Sequence, residues 1–164
     1  MKTITLTPLE IQRFWAKVDK SGDCWLWQAA LTNGYGRFHA TRNGKSDMYA
    51  AHRVSYTIIM GEIPDGHVLD HVCRHPACVK PKHLRPVTVK QNAEHRGGPN
   101  ANSTSGVHGV HWRKAKGKWE VRIRHNSRTN FYGYYTTLEE ASAVAIAKRN
   151  ELYTHNDLDR KAVA

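Results

Sequence analysis

Residues 69–83 read LDHVCRHPACVKPKH, in which three His, two Cys and one Asp are punctuated by two Pro. Such a stretch packs poorly and holds metal well, so it constrains the fold more than any other part of the chain. It reads as a tight loop held by side-chain chemistry. The chain has three Cys in all. An odd number excludes a full disulfide framework, and Cys close to His points to metal ligation or free thiols.

The segments around this loop read as short elements. HVLDHV (67–72) is strand-like, LRPVTV is the returning strand, and VKQNAEHR is a helix with Asn92 in its early part. Upstream, the spacing predicts a helix over 7–18, with Thr7 as N-cap, Pro8 at the first helical position and Glu10 closing a capping box. Asn33-Gly34 and Asn43-Gly44 are hairpin signals. They imply two or three antiparallel strands after residue 24, with a helix over 49–60. GGPNANSTS (97–105) is the clearest linker. Beyond it, GVHGVHWR, KWEVRIRH and NFYGYYTT alternate like strands, separated by KAKG and NSRT turns. TTLEEASAVAIAKRNELY then reads as a helix capped by Thr137 and Glu140, whose Ala141, Val144, Ala145 and Leu152 form a stripe suited to a sheet. Residues 155–164 are polar and expected to fray as a flexible tail.

Charge narrows the choice of partner. Lys and Arg number 25 against 14 Asp and Glu, a net +11. That balance favours a polyanion, nucleic acid first. No run of eighteen apolar residues suggests a membrane-spanning helix, and MKTITLTPLEIQRFW lacks the apolar core of a signal peptide. The expectation is a cytoplasmic protein with no membrane partner.

Asp70 and His71 are adjacent at a strand end, where one can bind metal while the other activates water. Asp70 and Asn92 offer the oxygen donors that Mg²⁺ or Mn²⁺ prefers. A neutral His71 can take a proton from water, since imidazole titrates near working pH. Cys73, Cys78 and His83 surround the loop, and Cys24 is the natural fourth ligand for a structural Zn²⁺. Packed free thiols are the alternative.

DHVCRHPACVKPKHLRPVTVKQN, together with CWLW, GYGRF, AHRVSY and GEIPDG upstream, resembles the HNH nucleases, in the form carried by many phage HNH endonucleases. The resemblance covers roughly residues 22–96. It implies a ββα-metal core at about 66–96, in which a hairpin and a helix grip one divalent ion. By that match His71 is the general base, Asp70 and Asn92 are metal ligands, and His83 holds the middle motif position. A structural zinc would claim His83 as a ligand instead. His95, one turn beyond Asn92, is a further candidate for a ligand or a phosphate contact. The family often has Asn where Lys80 stands, and Lys80 is read as a phosphate contact.

Residues 106–135 carry Arg113, Lys114, Lys116, Lys118, Arg122, Arg124 and Arg128 among aromatic residues, against one acid, Glu120. Alternation puts Arg122 and Arg124 on one face, with Val121 and Ile123 toward the helix. SGVHGVHWRKAKGKWEVRIR and FYGYYTTLEEAS resemble the AP2 DNA-binding domain over about residues 104–152. The resemblance implies a DNA-facing sheet bearing Arg113, Lys118, Trp119, Arg122 and Arg124, with Lys116 and Arg128 as further contacts. Trp112 is read as a brace for the sheet.

The expected fold is α+β: an HNH nuclease domain (1–96), a linker (97–105), an AP2-like domain of three antiparallel strands plus a helix (106–154), and a tail (155–164). The expected function is a metal-dependent, homing-type DNA endonuclease acting on duplex DNA as a monomer or homodimer. The alternative is a DNA-binding regulator with a degenerate nuclease core.

Overall fold

A computed structural model of the chain describes residues 3–42, 45–95, 99 and 102–161. They fall into two compact units, Met1–Val89 and Lys90–Ala164.

The first unit begins with α1 (Pro8–Trp15), which opens on the expected capping box between Thr7 and Glu10. Two short strands follow, β1 (Val18–Asp19) and β2 (Leu26–Trp27), which pair antiparallel. Then come β3 (Leu31–Thr32), β4 (Tyr35–Arg42) and β5 (Lys45–Ala50), a three-stranded sheet in the order β3-β4-β5. Asn33 and Gly34 both take positive φ, 51° and 81°, the conformation that a two-residue hairpin turn demands. The Asn43-Gly44 turn expected between β4 and β5 lies outside the described residues. The helix α2 (Ala51–Met60) follows at once.

Aromatic packing holds this unit together. The ring of Phe14, fully buried, lies 5.0 Å from that of Trp27 and 5.3 Å from that of Phe38. Gly36 on β4 is there for space: a Cβ would stand 2.7 Å from Trp27 and 2.8 Å from Ala51. Behind this core, β6 (His67–His71) and β7 (Leu84–Thr88) form an antiparallel hairpin. Leu69 and Leu84 pack with Tyr56 of α2. The long loop of the hairpin is pinned to β2 and the residue before it: Trp27 N–H donates to Ala77 O at 3.0 Å, and Val79 N–H donates to Trp25 O at 2.7 Å.

The second unit starts with α3 (Val89–Glu94, all but its first residue) and continues through β8 (Val110–Arg113), β9 (Lys118–His125) and β10 (Arg128–Tyr135), an antiparallel sheet in the order β10-β9-β8. Asn126 and Ser127 at positive φ make the turn between β9 and β10. The helix α4 (Leu138–Leu152), opened by the Thr137/Glu140 capping box, lays Ala141 and Ala145 against Val110, Val121 and Ile123.

Two boundaries differ from expectation. The units part at Val89/Lys90, ahead of the linker expected at 97–105, of which residues 97, 98, 100 and 101 lie outside the described set. The reason is local. The Glu94 carboxylate accepts from Thr154 N, Thr154 Oγ1 and His155 N at 2.9, 3.0 and 3.3 Å, which ties α3 to the chain after α4. The expected flexible tail instead carries α5 (Asp157–Lys161). Asp159 accepts from buried Arg149 at 2.6 and 3.0 Å, and that two-pronged bond fastens α5 to α4.

Candidate functional site: a thiol–imidazole cluster beside Asp70 and His71

The pinned loop does what its composition requires. It carries Cys73 and Cys78, and its attachment to β2 brings up Cys24, which immediately precedes Trp25. A short 3-10 turn, Pro81–His83, delivers His83. The ligand atoms of Cys24, Cys73, Cys78 and His83 all lie within 4.8 Å of one another, a group that can hold one metal ion. His83 Nδ1 is 3.6 Å from Cys24 Sγ and 3.7 Å from Cys78 Sγ. A tetrahedral ion with metal–sulfur bonds of about 2.3 Å and metal–nitrogen bonds of about 2.0 Å sets S···N edges of about 3.5 Å. Burial pushes the Cys78 thiol up to about 12, and burial together with the Cys73 hydrogen bond raises Cys24. Thiols so placed keep their protons until a cation displaces them.

Lys80, expected to contact a phosphate, is committed elsewhere. Its ammonium donates to the carbonyl of Asp23 at 2.6 Å and to Asp23 Oδ1 at 3.0 Å. Asp23 precedes Cys24, so Lys80 braces the cluster. The Asp23 carboxylate also lies 3.7 Å from His83 Nε2, on the side of the ring away from the thiols.

His71 ends β6 and is 7% exposed. Its Nε2 lies 2.9 Å from the carbonyl oxygen of Cys78. A carbonyl only accepts, so Nε2 carries the proton and Nδ1 keeps the lone pair. Burial lowers the pKa of His71, against the opposing pull of the Cys78 carbonyl and the Asp70 charge. The imidazole is therefore uncharged at neutral pH, with its Nδ1 lone pair able to accept a proton. Through Cys78, one residue serves both places: its sulfur faces the cluster and its carbonyl orients His71.

Asp70, also 7% exposed, stands opposite Arg85 in the β6–β7 register, and Arg85 Nε lies 2.9 Å from Asp70 Oδ2. Asn92 is exposed on α3 in the second unit. His95, just beyond, is buried with Nε2 3.3 Å from Asp157 Oδ2, so it is engaged in holding α5. Sequence reasoning missed His52 and Tyr35. The rings of His52 and His71 are 4.9 Å apart, and the Tyr35 ring lies 5.6 and 5.9 Å from the two. Both residues lie in segments that carry the family resemblance, His52 in AHRVSY and Tyr35 in GYGRF.

In the second unit, the register separates two faces. Arg113 pairs with Lys118, Phe131 with Arg122, and Thr129 with Arg124, so these share the face turned away from α4. The Lys116 ammonium sits 4.2 Å above the Tyr134 ring on the same face. His108, His111, Arg113, Arg122 and Arg124 border an open depression of about 630 Å³. Trp119, expected on this face, is on the other one: it alternates with Val121 and Ile123 and packs against their core. Trp112 pairs with it, ring centroids 5.0 Å apart. Arg128 pairs with His125 and also lies off the face of Arg124. Beneath the basic face lies Glu120, fully buried, which accepts from Arg113 and Tyr134 and lies 3.0 Å from Arg122 Nε. Burial works to raise its pKa, but the bonds from Arg113 and Arg122 prevail and hold the carboxyl below its usual range.

Comparison with known proteins adds a domain to this geometry. Residues 49–94 match the family described as HNH endonuclease, so the chain carries an HNH endonuclease domain there. A curated relative, Protein 7.7 of Escherichia phage T7, is 38% identical over 73 residues, covering 44% of this chain and 53% of that protein. The chain thus spans about half the length of the relative it matches. No solved structure matches. Among the described residues, no helix is long and apolar enough to cross a membrane.

Proposed function

We propose that the chain is a metal-dependent HNH endonuclease that hydrolyses phosphodiester bonds of duplex DNA, with His71 as the base. The observation that carries this reading is the bond from His71 Nε2 to the Cys78 carbonyl, inside the matched HNH segment. It fixes the tautomer whose Nδ1 can take a proton from water. Asp70 and Asn92 would hold one Mg²⁺ or Mn²⁺. Their oxygen donors suit such an ion, and buried Asp70 already faces a cation, Arg85. A divalent ion there supplies positive charge against the scissile phosphate. Cys24, Cys73, Cys78 and His83 would hold a structural zinc, supported by their soft donors and by S···N distances of 3.6 and 3.7 Å. These four residues, so filled, would keep the loop, and with it the Cys78 carbonyl, in place beside His71.

The second unit would bind DNA through Arg113, Lys116, Lys118, Arg122 and Arg124, as an AP2-like sheet that gives a homing-type enzyme its site preference. A sheet of three strands backed by one helix, with its basic residues on the outer face, supports this. Strands of such a sheet fit the major groove. The phage relative supports action inside a host cell. One such site per chain would nick as a monomer, and double-strand cutting would need a homodimer or two successive events.

The second reading, a DNA-binding regulator with a degenerate nuclease core, is favoured by the commitment of Asp70 Oδ2 to Arg85. Nicking of supercoiled DNA in Mg²⁺ against EDTA, by the wild type and by Asp70→Asn, separates the two. The nuclease nicks only in Mg²⁺ and only with Asp70. The regulator nicks in neither condition.

A further inference from the structure

We propose that His52 is a positioning residue for His71, its ring holding the plane of the base through edge-to-face packing. The inference rests on the nuclease reading of His71.

His52 sits in the first turn of α2, in the first unit. Its residue exposure is 9%, and its Nδ1 is buried with no hydrogen-bond partner among the described residues. A polar ring buried with an unpartnered nitrogen costs stability unless it does something else there. What it meets is His71: the ring centroids are 4.9 Å apart and the planes are inclined at 63°. That is the T-shaped arrangement in which the positive edge of one ring meets the face of the other. Tyr35, 40% exposed, covers both imidazoles from outside, its plane inclined at 53° and 55° to them.

Among the described residues, the hydrogen bond that holds the His71 ring is Nε2 to the Cys78 carbonyl, with Tyr35 outside it. One hydrogen bond sets the tautomer but leaves the ring free to rotate about that bond. A second ring packed edge-to-face with it, at 4.9 Å and 63°, restricts that freedom and aims Nδ1. For this role the second ring must stay neutral, because a cation beside His71 would oppose its protonation. Burial first, and then His71, Arg53 and Arg37, depress His52 to about 3. It remains an uncharged wall throughout the working range. Aromatic shape, rather than a proton-bearing nitrogen, is therefore the property that matters.

The test compares the full chain with His52→Ala, His52→Phe and His52→Gln. Two readouts are used. One is the KM-against-kcat split in DNA nicking. The other is the long-range ¹H–¹⁵N spectrum of the His71 imidazole, which reports its tautomer without any cleavage. Loss of a group that orients a catalytic side chain costs about 10- to 100-fold. His52→Ala and His52→Gln should lower kcat by that factor, leave KM within about twofold, and turn the single Nε2–H signature of His71 into a mixture. His52→Phe should recover most of kcat and the single signature. If the alanine variant does not fold, the Phe and Gln variants carry the same comparison. An unchanged kcat and spectrum in His52→Gln would overturn the proposal. So would a Phe variant as slow as the Gln variant, which would make the imidazole nitrogen itself essential. Should the wild type cleave nothing, the nuclease reading falls while the spectra still decide whether His52 holds His71.

Discussion

The two units solve the same problem by different means. The first has an aromatic core around Phe14, but the loop that, with Cys24, assembles three thiols and an imidazole able to hold a metal is attached by a few backbone bonds at β2 and Trp25. The second has an ordinary sheet-on-helix core, and its basic face is ordered by one buried carboxylate, Glu120. In the first, the sulfur and the carbonyl of one residue, Cys78, serve the thiol–imidazole cluster and His71. In the second, the apolar core and the basic residues sit on opposite faces of the sheet. Loss of one ligand should therefore disable the first unit, whereas changes to the second should be graded.

The contrast is sharpest at the thiol–imidazole cluster. With the proposed zinc in place, Cys78→Ser should abolish its binding and lower the stability of the first unit by at least about 3 kcal/mol, while the second unit melts as before. Metal content by elemental analysis and two-transition calorimetry check this. A single shared transition that falls as a whole would break the contrast.

Glu120 gives the next largest effect. Glu120→Ala leaves Arg113 and Arg122 without their shared acceptor and should cost the second unit about 2 kcal/mol, since both arginines are half exposed. The effect has a pH window. The folded-state pKa lies below the ordinary 4.5, so the stabilisation is full above that value and is lost as pH falls through the lowered one. Wild type and Glu120→Gln should accordingly converge in melting temperature on acidification.

Gly36→Ala is a test of crowding in the first unit. The new Cβ meets Trp27 and Ala51 at 2.7 and 2.8 Å, which should cost about 1–3 kcal/mol, read from denaturant midpoints. The smallest effect separates two arginines. Arg124→Ala should weaken DNA binding and lower the slope of log K against log salt by about 1, whereas Arg128→Ala, off that face, should change it less. Equal effects would undo the assignment of faces.

Much of this was legible in the sequence because its signals are local. Thr7 and Glu10, Thr137 and Glu140, and Asn33-Gly34 are caps and turns whose bonds span at most three residues, and the strands of the second unit alternate in plain view. The Cys–His loop announced itself by composition. What was not legible depends on distance in sequence. Lys80 meets Asp23, 57 residues away, so its charge reads as a phosphate contact until the fold is seen. His52 and His71 meet across an α2–β6 contact that no spacing rule specifies. Trp119 is a different case. Its parity with Val121 and Ile123 already put it on the helix side, and the resemblance to a DNA-facing strand overrode that signal. Glu120 shares the parity of Arg122, which placed it under the basic face, but only packing reveals its burial.

The most direct measurement is cleavage of supercoiled plasmid, and of phage genomic DNA, in Mg²⁺ by the wild type and His71→Ala side by side, with DNA binding by both measured in EDTA. The account predicts nicked product from the wild type, a loss of at least about 100-fold in the variant, and equal binding. Equal cleavage by both proteins, or none by the wild type on either DNA, would contradict it.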